Sequence, residues 1–160
     1  MSKKYCFIDN QNLYLGIKSQ DWDLDYKRFY IYLKEKYCVD KSILYVGYIR
    51  ENENLYRYLK SCCFEIVFKN TKQYGQSRRQ VKGNIDVDLT VDAIRRIEEY
   101  TDAVFVSADG DFCALYDFLI DEMNKRVEII IPDENKYSSF LKKYRSSLVF
   151  MNDLKRKLSR

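Results

Sequence analysis

The feature that most limits the fold is an alternation. Short apolar runs, rich in branched or aromatic residues, are separated by longer amphipathic stretches. Tyr5–Ile8, Ile43–Ile49, Phe64–Phe68, Ala103–Ser107 and Val127–Ile131 read as strands, with Leu148–Met151 as a sixth. Between them, Asp25–Tyr37, Glu53–Ser61, Asp86–Tyr100, Phe112–Lys125, Ser138–Arg145 and Asp153–Leu158 carry helical periodicity. Strand–helix alternation predicts an α/β domain with a mostly parallel central sheet flanked by helices on both faces. With 160 residues and no linker-like segment, residues 1–160 are expected to form a single domain. Ligands of such sheets bind beyond the carboxyl ends of the strands, where the strand order reverses. Asp9 follows the first strand and Asp109 the fourth, so both fall on that rim.

The chain contains no histidine. Ser-His-Asp and Cys-His machinery are therefore excluded, as is any hydrolase with an imidazole acid or base. Five cysteines without a C-x-x-C pair offer neither a zinc set nor a disulfide framework. Cys6 and Cys113 read as small core residues. No apolar run approaches the roughly 20 residues that cross a bilayer, and a carboxylate at position 9 interrupts any secretory leader. A cytoplasmic, membrane-free protein is the expectation.

Carboxylates cluster at three places: Asp9 in "YCFIDNQN", Asp86, Asp88 and Asp92 in "KGNIDVDLTVD", and Asp109 and Asp111 in "VFVSADGDF". Each has an ordinary structural role when taken singly. Asp9 fits a strand-end turn, Asp86 a helix N-cap, and Asp111 a cap after an Asp-Gly turn. Helical spacing aligns Asp86 with Leu89, Ala93 and Ile97 on the inward stripe. Asp88 and Asp92 point away from it and are expected in solvent, with Asp88 near enough to the helix start to support a site. The conjunction is more telling than the parts. Two carboxylates about 4 Å apart repel by roughly 4 kcal/mol at an effective dielectric near 20. A gathering of them calls for a hard divalent cation with oxygen ligands, Mg²⁺ or Mn²⁺.

The segments "FIDNQNLY", "KGNIDVDLTVDAI" and "VFVSADGDFCALYDFL" resemble, in order and separation, the three motifs of NYN domains in the PIN-like ribonuclease superfamily. The resemblance covers roughly Lys4 to Pro132. It implies a three-layer α/β fold and metal-dependent cleavage of RNA, as an endoribonuclease. It carries over Asp9 and Asn12 from the first motif, Lys82 and Asp86 from the second, and Ser107, Asp109 and Asp111 from the third. The third motif usually reads Ser-Gly-Asp-x-Asp-Phe, and Ala108 stands here in place of that glycine. Alanine suits the position only if its backbone avoids positive φ.

On this reading Asp9, Asp86, Asp109 and Asp111 hold one or two Mg²⁺ or Mn²⁺ ions and carry catalysis. Asn12 orients a water or a phosphate oxygen, and Ser107 steadies a neighbouring carboxylate. The connection Lys69–Asn84 contains basic residues and no carboxylate. Arg78, Arg79 and Lys82 are expected to neutralise phosphates and Tyr74 to stack on an unpaired base. RNA is the expected partner, with DNA not excluded because none of these residues reads a 2′-hydroxyl. The competing reading is a non-catalytic RNA-binding or adaptor module on the same fold. Fifteen tyrosines read mainly as packing residues, and the exposed ones leave self-association as a homo-oligomer open.

Overall fold

The computed structural model describes residues 2–69 and 85–160. Six strands, β1 (Lys4–Asp9), β2 (Lys41–Gly47), β3 (Glu65–Lys69), β4 (Asp102–Val106), β5 (Arg126–Ile131) and β6 (Leu148–Phe150), lie within about two residues of the expected runs. They form one sheet in the order β3-β2-β1-β4-β5-β6, and every neighbouring pair is parallel. The order runs one way from β1 through β2 to β3 and the other way from β4 onward. The crevice between the ends of β1 and β4 is thus the switch point.

Helices cover both faces. On one side lie α1 (Asn10–Lys18), α2 (Tyr26–Tyr37), α3 (Glu53–Ser61) and the C-terminal α6 (Lys155–Leu158). On the other lie α4 (Ile85–Arg95) and α5 (Cys113–Asp117), the latter continuing through a π-helical turn to Glu122. The sheet is buried on both sides, which explains why its strands read as continuous apolar runs. In β1 the alternation is direct: Cys6 and Ile8 join Phe29, Leu33 and Leu59, whereas Tyr5 and Phe7 join Leu89, Ala93 and Tyr116. The parity that sends Phe7 toward α4 and α5 also sends Asp9 there.

Helix α1 was absent from the expected elements. Its segment "NQNLYLGIK" buries only Leu13 and Ile17, one i,i+4 pair, and contains Gly16. It forms because Asp9 caps it, the side chain accepting the Asn12 N–H. Gly16 is required by a close approach: a Cβ there would lie 2.5 Å from Pro132 Cβ. The expected helix Asp86–Tyr100 ends at Arg95, with a short 3₁₀ turn at Ile97–Glu99. The expected helix at 138–145 is a 3₁₀ segment, Ser139–Ser147, kinked at Tyr144. All five cysteines are free; Cys6 is buried and Cys113 partly so.

Candidate metal centre

Three elements deliver the acids to the switch point. β1 ends at Asp9, the loop after β4 carries Asp109 and Asp111, and Asp86 projects from the first turn of α4. The packing of Leu89 and Ala93 against the sheet sets the position of α4, and Asp86 continues their stripe at the rim. One carboxylate oxygen from each of Asp86, Asp109 and Asp111 lies within 4.8 Å of the other two. Asp86 and Asp109 are half-buried and Asp111 is exposed, so the trio opens to solvent.

Asp9, expected as a fourth ligand, is not one of the three, but it lies near enough to Asp86 and Asp109 for their charges to act on it. It is buried, and its Oδ1 accepts the Asn12 N–H at 3.1 Å. Burial pushes its carboxyl up to about 6; the Asp86 and Asp109 carboxylates push in the same direction, against hydrogen bonds from the backbone of Asn12 and Gln11. Asp86 is also raised, first by burial and then by Asp109 and Asp111, with Lys69 at the end of β3 opposing. Three carboxylates are therefore concentrated at one rim, and burial raises two of the site's acids, Asp9 and Asp86.

The loop geometry is fixed by short hydrogen bonds. Buried Ser107 accepts the Asp109 N–H at 3.1 Å, and Asp109 Oδ1 accepts the Asp111 N–H at 2.9 Å. Asn12 Oδ1 accepts the Ala108 N–H at 2.8 Å. Ala108 has negative φ, so its methyl group is tolerated where the family pattern has glycine. Asp109, rather than Asp111, caps the turn that follows. Asp86 sits inside its helix rather than ahead of it.

The donor set suits a small hard cation. An octahedral ion with bonds of about 2.1 Å spaces its ligands about 3.0 to 4.2 Å apart, close to the separation within the trio. Oxygen-only donors select Mg²⁺ or Mn²⁺ over thiophilic metals.

Asp88 is half-buried in the first turn of α4 and stands outside the trio. Tyr74, Arg78, Arg79 and Lys82 lie outside the described residues. Asp92 corrects the expectation of a solvated acid. It accepts the Tyr45 hydroxyl at 2.5 Å and Arg96 Nε at 3.0 Å, while Arg96 also binds Glu65. Asp92 flanks the inward stripe, and the Tyr45 side chain on β2 reaches it.

Two residues on the rim escaped the sequence reading. Asp133, buried after β5, accepts from Ser19 Oγ, the Asn135 N–H and Asn152 Nδ2, tying α1 to the segments after β5 and β6. Burial raises its carboxyl, but these hydrogen bonds outweigh that and hold it below the usual range. Ser138 donates its N–H to the Ala108 carbonyl at 3.0 Å, bracing the acidic loop. A serine two residues before Phe140, at the start of the segment expected to be helical, was the available signal.

The NYN domain family matches residues 4–152, a span that includes all three acidic segments. The chain belongs to the NYN domain family. In this NYN domain the three family segments meet at one rim although they are far apart in sequence. A crystal structure of a protein of unknown function from Vibrio parahaemolyticus is similar, with a TM-score of 0.79 and 23% identity. That similarity covers 95% of this chain and 94% of the other, and it concerns the fold alone. No curated protein matches the NYN domain described here.

Proposed function

We propose that this NYN domain is a metal-dependent nuclease that hydrolyses phosphodiester bonds in RNA. The observation that carries the reading is the approach of Asp86, Asp109 and Asp111 within 4.8 Å at the switch point. These three would hold Mg²⁺ or Mn²⁺, with Asp9 adding its charge nearby. A divalent cation held there acidifies water and offsets the charge of the phosphate.

The chain's own residues do the rest. Asp9, Asp86, Asp109 and Asp111 supply the negative pocket and the proton acceptors that a chain without histidine needs. Asn12 spends its Oδ1 on Ala108, which leaves its amide N–H groups to orient a phosphate oxygen. Ser107 fixes the Asp109 backbone and thereby the carboxylate that it carries. Arg78, Arg79 and Lys82 are assigned to substrate phosphates, and Tyr74 to a base. Attack by water in line with the leaving oxygen leaves 5′-phosphate and 3′-hydroxyl ends.

The test is a cleavage assay on labelled RNA and DNA of matched sequence, with Mg²⁺, Mn²⁺ or a chelator. Chelator-sensitive loss of RNA that disappears in Asp109→Asn is the expected result. Binding without chelator-sensitive cleavage would favour the adaptor reading instead.

A further inference from the structure

Beside the acidic loop stands a ring that the core does not use. Phe140 is 74% exposed, more than any other large apolar side chain among the described residues. Leu141, its neighbour in the same turn, is fully buried, so the register of this segment spends Phe140 on solvent. Among the described residues its ring has no aromatic partner. Exposed Tyr48, also on the rim, differs: its ring rests on Tyr56 and Phe68 and its hydroxyl reaches Glu53.

The backbone that carries Phe140 is tied to the acidic loop. The Phe140 N–H donates to Ser138 Oγ at 3.3 Å, and the Ser138 N–H donates to the Ala108 carbonyl at 3.0 Å. Gly110 completes the arrangement. A Cβ at Gly110 would overlap Ser138 Oγ and come within 3.2 Å of Phe140 Cδ2. The ring edge therefore abuts the one residue that separates Asp109 from Asp111.

This placement answers a physical difficulty. A cation and basic side chains can hold phosphates but do not tell a paired base from an unpaired one. Base stacking on an aromatic face does, because it requires an unpaired base.

We infer that Phe140 is a stacking platform for an unpaired base next to the scissile phosphate, which directs the enzyme to single-stranded segments. The inference rests on the nuclease reading and adds to it the residue that holds the base. Phe140 is a substrate-binding residue in this scheme and takes no part in proton transfer.

The test compares the full chain with Phe140→Ala, Phe140→Leu and Phe140→Trp. Substrates are one RNA sequence in single-stranded and fully duplex form, with 2-aminopurine near the cut. Alanine and leucine are expected to lower single-strand kcat/KM about tenfold, chiefly through KM, and to abolish 2-aminopurine quenching in chelator. Tryptophan is expected to restore both, and the wild type to prefer the single strand. Leucine keeps the apolar volume without the π-face, so a leucine variant that behaves like wild type overturns the inference. Equal losses on single strand and duplex, or a wild type that prefers duplex, overturn it too. In each of these cases wild-type cleavage persists and the nuclease reading stands. A wild type that neither binds nor cuts RNA removes both.

Discussion

Asn12 Oδ1 accepts the Ala108 N–H at 2.8 Å, joining the first turn of α1 to the loop that carries Asp109 and Asp111. The neighbouring backbone N–H, that of Asn12 itself, is taken by Asp9. One residue thus ties two of the three acidic segments together. Asn12→Ala leaves the Ala108 N–H without this acceptor, at a cost of about 1 to 3 kcal/mol. Denaturant unfolding in chelator should show that loss, and Mn²⁺ titration should show weaker binding. Unchanged Mn²⁺ affinity would mean that the tie does not shape the centre.

Asp86 has the opposite character. Its carboxyl is raised because burial and two neighbouring carboxylates outweigh the favourable charge of Lys69. Asp86→Asn keeps the shape and removes one repelling charge. The expected result in chelator is a gain of about 1 kcal/mol, or about 3 °C in Tm for a domain of this size. Mg²⁺ is expected to stabilise the wild type, and that gain should vanish in the variant. Thermal unfolding with and without Mg²⁺ measures both effects. A variant less stable than wild type in chelator would contradict the repulsion on which the site is built.

How far the sequence could be read depends on which interactions are local. The strands were legible because a sheet covered on both faces leaves uninterrupted apolar runs, and those runs stop at Ile8 and at Ser107 before the acids begin. The adjacency of β1 and β4 was legible only through the general rule for parallel sheets. Helix α1 was not, because Leu13 and Ile17 alone give too little periodicity and Gly16 lowers it further. Asp92 was misread because helical geometry gives an angle but not the reach of Tyr45 and Arg96. Phe140 carries no signal at all in a chain with this many aromatic residues. Its exposure is a tertiary fact.

Protonation of Asp9 links the site to pH. Its carboxyl is raised from an ordinary value near 3.9 to about 6. A raised carboxyl means that the folded state binds the proton more tightly than the unfolded chain. Its contribution to stability is complete below about pH 4 and is lost as pH rises through about 6. Asp9→Asn stays neutral throughout. In chelator the variant should match wild type at about pH 4 and exceed it in stability above about pH 6. Unfolding curves at several pH values check this, and a difference independent of pH would refute it. Divalent-ion affinity of wild type should rise as pH rises through the same window, because proton and cation compete for the carboxylates.

The last prediction sets two acids of one helix against each other. Asp86 and Asp92 both lie on α4, yet burial and two carboxylates raise Asp86 against the pull of Lys69, whereas Tyr45 and Arg96 donate to Asp92. Asp92 accepts the hydroxyl of Tyr45, which is itself buried, and pairs with Arg96, which is largely buried. Asp92→Asn removes the charge that Arg96 and Tyr45 are arranged to meet, and charge-assisted hydrogen bonds of this kind are worth about 1.5 to 3 kcal/mol each. A loss of about 2 kcal/mol or more is expected, with the stabilisation by Mg²⁺ expected of the wild type kept in the variant. The two aspartate-to-asparagine changes should therefore move stability in chelator in opposite directions. If both lowered it, the acid at the rim would be as structural as the acid at the sheet, and the case for a cation at Asp86 would fail.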